Sequence, residues 1–182
     1  MIVDQILLVL QVSVCVPLGP STKINRKTKA VSFVHWSGQP FDIDGVKKIC
    51  KKYNLQLIED SAESLGSYFD GKHTGTFGDM GVLSFNGNKI ITTGGGGMIL
   101  TNSKRRACLA RHLTTQAKIK SQWEFIHDQI GYNYRMPNLN AAILVAQMEQ
   151  LDEFLKNKRI LAEMYKNFFK NTDILFLSEI AN

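Results

Sequence analysis

"TKAVSFVHWSGQPFDIDGVKKICKKYNLQLIED", residues 28–60, changes its hydrophobic period three times. "TKAVSFV" is a run of strand character, and "HWSGQP" carries the Gly and Pro of a loop. Residues 42–53 then place Val46, Ile49, Cys50 and Tyr53 at the i, i+3, i+4, i+7 spacing of an amphipathic helix. "LQLIED" is a second apolar run that closes on two carboxylates. A strand, a helix and a strand within about thirty residues form a βαβ unit. Strands joined that way run parallel with a right-handed crossover, so the stretch predicts an α/β fold with a parallel sheet.

Working outward, Lys47, Lys48, Lys51 and Lys52 fall between the apolar positions of that helix and read as its solvated face. The alternative, a nucleic-acid patch, has the net charge of +6 behind it but no basic cluster, because the basic residues are spread among carboxylates. With 182 residues and 44% hydrophobic content, the chain can bury one good core. Cys15, Cys50 and Cys108 are odd in number and widely spaced, which indicates neither a disulfide framework nor a zinc site and fits a reducing cytoplasm. The segment 1–23 is apolar enough to suggest a signal peptide. Asp4 stands where a basic region is expected, however, and Gln11 interrupts the run, so a core strand or an atypical start is preferred and no membrane span is expected.

Downstream, "MGVLSF" (80–85) and "GMILTN" (97–102) read as strands, residues 103–116 as a helix and 117–136 as irregular. From Pro137 to about residue 171 the pattern predicts one long helix, with Pro where the first turn tolerates it. The expected divisions are an atypical segment at 1–23, a central α/β region at 24–136, a long linking helix at 137–171 and the start of a further module at 172–182.

In parallel α/β sheets, ligands bind at the carboxyl ends of strands, and polar residues cluster there: His35, Asp60 and Ser84 each end a strand. Asp60 is either a cap for free backbone amides or a carboxylate that keeps a proton on a heteroaromatic nitrogen. Ser84 either caps its strand or binds a phosphate. Lys89 lies in "SFNGNKIITTGGGG" (84–97), a stretch almost free of other charge, and is either a surface lysine or an amine kept where its neutral form is not too costly. The glycines at 94–97 serve a tight turn or close approach to a ligand. Neither GxxxxGK[ST] nor GxGxxG is present, which disfavours a nucleoside triphosphate or dinucleotide site.

"VHWSGQP", "LIEDSAESLGS", "GTFGDMGVLSFNGNKIITTGGGGMILTN" and "GYNYRMPNLNAAILVAQMEQLDEFLKNKR" occur in an order that resembles the DegT-type sugar aminotransferases, a branch of the fold-type-I pyridoxal phosphate enzymes. Within that family the chain is similar to the aminotransferases that act on UDP-linked 4-keto-6-deoxy sugars in legionaminic acid and related pathways for surface glycans. The resemblance covers roughly residues 24–171 and implies part of the large domain, a mainly parallel sheet with flanking helices, followed by an inter-domain helix. It implies pyridoxal 5′-phosphate as cofactor, glutamate or another amino acid as donor, and a homodimer with shared active sites.

The resemblance makes Lys89 the lysine that bonds the cofactor and moves protons. Asp60 would pair with the ring nitrogen, Ser84 would bind the phosphate, and Glu63 stands near the ring where the family has Gln or a similar polar group. Asn133 looks like the residue that reaches the phosphate in a neighbouring subunit's site. His35, Trp36 and Arg135 are candidates for the sugar pocket, with loop packing and capping as their alternatives. The family's Gly-Thr phosphate turn and stacking ring are not evident in 1–23, and its smaller C-terminal domain would follow Asn182. The expectation is therefore a central fragment, either an aminotransferase or a noncatalytic remnant that keeps the scaffold and a dimerising surface.

Overall fold

A computed structural model describes residues 6–9 and 24–177. The stretch 28–60 folds as β2 (Ala30–Val34), α1 (Ile43–Tyr53) and β3 (Gln56–Asp60). Strands β2 and β3 pair in parallel, with Ala30 opposite Gln56 and Val34 opposite Asp60. Helix α1 starts where the Asp42 carboxylate accepts the Gly45 N–H at 2.9 Å, and it ends at Asn54 in the left-handed region (φ 53°). Its Ile43, Val46 and Cys50 pack against Val31, Phe33 and Leu57, leaving the four lysines exposed. Each such buried aliphatic or aromatic side chain contributes roughly 1.5–3 kcal/mol.

Preceding this unit, β1 (Ile6–Val9) pairs in parallel with β2; the rest of the 1–23 segment lies outside the described residues. On the other side, β6 (Met80–Ser84) pairs in parallel with β3, and β7 (Gly97–Leu100) lies beyond β6, giving the order β1-β2-β3-β6-β7. Strand β7 runs antiparallel to β6, because residues 85–96 reverse the chain without a crossover helix. The sheet is thus mainly parallel. Between β3 and β6, a two-stranded hairpin of β4 (Tyr68–Phe69) and β5 (Lys72–His73) turns through Asp70 and Gly71, both at positive φ.

Helix α2 (Lys104–Thr114) is capped by the Ser103 hydroxyl, which accepts the Arg106 N–H at 3.3 Å. The single helix expected over 137–171 is instead two, α3 (Asn138–Met148) and α4 (Leu151–Phe169). At the junction the Gln150 N–H turns to the Gln147 carbonyl at 3.1 Å, and the Gln150 side-chain amide takes over the Ala146 carbonyl at 3.2 Å. A helix can thus break without Gly or Pro when a side chain satisfies the freed carbonyl, and this is what the periodicity missed. None of the helices among the described residues is long and apolar enough to cross a membrane.

Period-2 alternation sorts the strand ends. Leu57, Glu59, Gly81 and Leu83 share one face and are buried, whereas Ile58, Asp60, Val82 and Ser84 share the other and are half-buried. Asp60 and Ser84 therefore stand on one face of neighbouring strands.

Candidate active site

Beyond Ser84, two buried anchors bracket the loop that carries Lys89. Phe85 and Ile91 pack with Leu83 and with Leu144 of α3. The Phe85 N–H donates to Gly96 O at 3.1 Å, and the Thr93 N–H returns to Phe85 O at 3.0 Å. Helix α3 secures the far limb: the Thr92 N–H donates to Gln147 Oε1 at 2.8 Å, and Asn140 Nδ2 donates to Thr93 O at 2.6 Å. Lys89 sits in the turn between these anchors, its N–H closing on Asn86 O at 3.1 Å. Gly94 and Gly96, at φ 76° and 108°, make the return to β7. Gly94 to Gly97 do not line the cavity described next, so of the two readings of the glycines the structure supports the turn.

A cavity of about 480 Å³ opens on this loop, with Ser84 and Lys89 in one wall, Ser37, Gly38 and Glu63 in a second, and Leu155, Lys158 and Arg159 of α4 in a third. The Lys89 side chain is 16% exposed, and its Nζ lies 3.5 Å from Glu63 Oε1. Glu63 Oε2 in turn accepts the Ser37 N–H at 2.9 Å. Ser37 reaches it with a left-handed backbone, φ 52°, inside the short 3₁₀ turn Trp36–Gly38. Helix α4 approaches closely because position 66 is glycine: a Cβ there would lie 2.5 Å from Leu155 Cδ2. Three cationic side chains and one carboxylate line the space, a balance that favours an anionic ligand.

Asp60 stands at the end of β3 on the same sheet face as Ser84, outside the cavity lining. Its Oδ1 accepts the Ala62 N–H at 3.1 Å, as the capping reading requires, and the Ser84 Oγ accepts the Asn86 N–H at 3.4 Å. The remaining candidates do not converge on Lys89. The His35 ring is fully buried, stacks on Phe41 with centroids 4.6 Å apart and meets Glu59 Oε2 through Nε2 at 3.0 Å. Trp36 is half-exposed beside Ser37 but does not line the cavity. Arg135 lines a different cavity, of about 460 Å³, together with Arg111 and Met136. Asn133 is exposed and bridges to Thr115.

Sequence reasoning missed Glu59, which is fully buried and accepts backbone N–H groups from Gly75 (2.8 Å), Phe77 (2.6 Å) and Gly78 (2.5 Å) as well as the contact from His35. Burial alone would raise its pKa, but the His35 hydrogen bond, the Gly78 and Gly75 amides and the nearby imidazole outweigh it and hold the carboxyl below the usual glutamate range. The available signal was strand alternation, which sends Glu59 inward when Asp60 faces the ligand side. Lys158 and Arg159 were also missed; their signal was helical spacing of three and four residues from Leu155.

The sequence profile of the DegT/DnrJ/EryC1/StrS aminotransferase family matches residues 19–181. GDP-perosamine synthase of Escherichia coli O157:H7 is 48% identical over 144 residues, covering 79% of this chain and 39% of that protein. UDP-4-amino-4,6-dideoxy-N-acetyl-beta-L-altrosamine transaminase of Campylobacter jejuni is 33% identical over 144 residues, covering 78% of this chain and 38% of that protein. Among solved structures, PseC of Helicobacter pylori, an aminotransferase involved in pseudoaminic acid biosynthesis, superposes with a TM-score of 0.81 at 29% identity, over 86% of this chain and 42% of that one. The chain thus spans about two fifths of the length of these relatives.

Proposed function

Because the chain belongs to the DegT/DnrJ/EryC1/StrS aminotransferase family, we propose that it carries the cofactor-anchoring part of an enzyme that moves an amino group from an amino acid to a nucleotide-linked keto sugar. The observation that carries this reading is Lys89, an amine on a doubly anchored loop beside Ser84, in a cavity whose cations outnumber its carboxylates. The donor set fits pyridoxal phosphate. One amine is available for the carbonyl, a hydroxyl stands at the end of β6 for the phosphate, and a carboxylate ends the neighbouring strand for the ring nitrogen. Gly38 packs against the cavity wall, where a Cβ would lie 3.3 Å from Ser67 Oγ.

When bound, pyridoxal phosphate supplies an electron sink for the carbanion that forms as a substrate carbon loses its proton. In this mechanism Lys89 would hold the cofactor, and its amine would carry the proton as general base and then general acid. Asp60 keeps the ring nitrogen protonated, with its carboxylate oriented by the Ala62 N–H. The Ser84 hydroxyl binds phosphate, and Glu63 orients Lys89 Nζ through their ion pair. Asn133, which lies away from this cavity, serves the site of a second copy in a homodimer.

Glutamate is the proposed donor and a 4-keto-6-deoxy sugar nucleotide the proposed acceptor. The resemblance suggested a UDP sugar, and relatives named for GDP- and UDP-linked sugars lead us to include both bases in the test. The test incubates the purified protein and pyridoxal phosphate with 15N-labelled glutamate and either keto sugar nucleotide. Appearance of a 15N-amino sugar together with 2-oxoglutarate supports the reading. Absence of label from the sugar, in protein that retains bound cofactor, contradicts it.

A further inference from the structure

We infer that His35 and Glu59 are positioning residues for Asp60, a buried brace on the core side of the sheet that fixes the carboxylate on the ligand side. This inference rests on the proposed role of Asp60. A wholly buried imidazole and carboxylate are an expensive way to fill a core where Phe33, Leu57 and Phe41 pack close by. Their contacts converge on the ends of β2 and β3. The His35 N–H donates to the Asp60 carbonyl at 3.0 Å while the His35 ring meets Glu59, so one residue grips Asp60 by its main chain and by its neighbour's side chain.

Glu59 extends the brace to the 75–78 turn through its bonds from Gly75, Phe77 and Gly78. That turn abuts the residue after Asp60: a Cβ on Gly75 would lie 2.7 Å from Ser61 Oγ, and the Ser61 N–H is fixed to Val82 O at 3.0 Å. The backbone on both sides of Asp60 is therefore held, leaving the carboxylate little freedom beyond its own bond from Ala62. A catalytic carboxylate benefits from this, since its contribution depends on geometry set before the substrate arrives. Only the Nε2 side of the His35 ring has a polar partner among the described residues, so a phenyl ring in its place would keep the stack on Phe41 and the main-chain bond to Asp60 and remove only the ring's bond to Glu59.

The test has one arm without cofactor and one with it. In the cofactor-free chain, His35→Phe should raise amide exchange of Ala62 by about tenfold while α1 amides keep their protection. Glu59→Gln, which retains the shape and one acceptor oxygen, should do the same and also expose at least one of the Gly75, Phe77 and Gly78 amides. Unchanged exchange at Ala62 in both variants overturns the proposal. In the second arm, His35→Phe should weaken pyridoxal phosphate binding by about tenfold in the native background and not at all in Asp60→Asn, because the brace acts through Asp60. Equal weakening in both backgrounds would mean general support of the core and would overturn it. If the native chain fails to bind pyridoxal phosphate, the functional reading falls while the exchange arm still decides the brace.

Discussion

Lys89 Nζ lies 3.5 Å from Glu63 Oε1, and the other Glu63 oxygen accepts the Ser37 N–H at 2.9 Å. The carboxylate thus links the Lys89 loop to the 36–38 turn. Both partners have access to solvent, so the pair contributes under about 1 kcal/mol to stability. Its consequence is local order. Glu63→Ala should shift the urea midpoint little yet speed amide exchange at Ser37, whereas Glu63→Gln, which keeps an acceptor, should leave that amide protected. Equal exchange in the two variants would contradict the link.

The approach of α4 depends on position 66. Gly66 has φ 87°, and an added Cβ would meet both Leu155 methyls. Gly66→Ala should therefore cost at least about 2 kcal/mol in chemical denaturation, from backbone strain and the clash together. Adding Leu155→Ala should recover part of that loss, since the two residues touch and their effects are not additive. A fully additive double mutant would show that α4 does not pack there.

Acid should loosen the sheet through Glu59. Its folded pKa is depressed, so its contribution is present above the ordinary glutamate value of about 4.3 and is lost as pH falls through the lower folded value. At pH 7, Glu59→Gln should be less stable than the native chain by about 1–3 kcal/mol, because at least one backbone amide loses its acceptor. The gap should narrow below about pH 4 as the native carboxylate protonates. Denaturation curves at several pH values check this; a gap constant with pH would mean that folding does not depress the Glu59 carboxyl.

Much of the fold was legible because strand and helix periods alternate cleanly between residues 28 and 60, and because polar residues punctuate the strand ends. The places of Asp60 and Ser84 at the ends of neighbouring strands were readable for the same reason. What escaped was long-range or cooperative. The break at Glu149 and Gln150 carries no Gly or Pro and relies on a side-chain amide. His35 looked like a pocket residue because it ends a strand, but alternation turns it to the core, where it meets Glu59 across 24 residues of sequence. The α4 wall of the cavity depends on Gly66 meeting Leu155, a contact that no local pattern encodes.

The most direct measurement is reduction of the purified chain with borohydride in the presence of pyridoxal phosphate, followed by peptide mapping, with Lys89→Ala as the control. One equivalent of adduct on Lys89 and none in the control is the expected result. An adduct spread over exposed lysines such as Lys47 and Lys51, unchanged in Lys89→Ala, would contradict it.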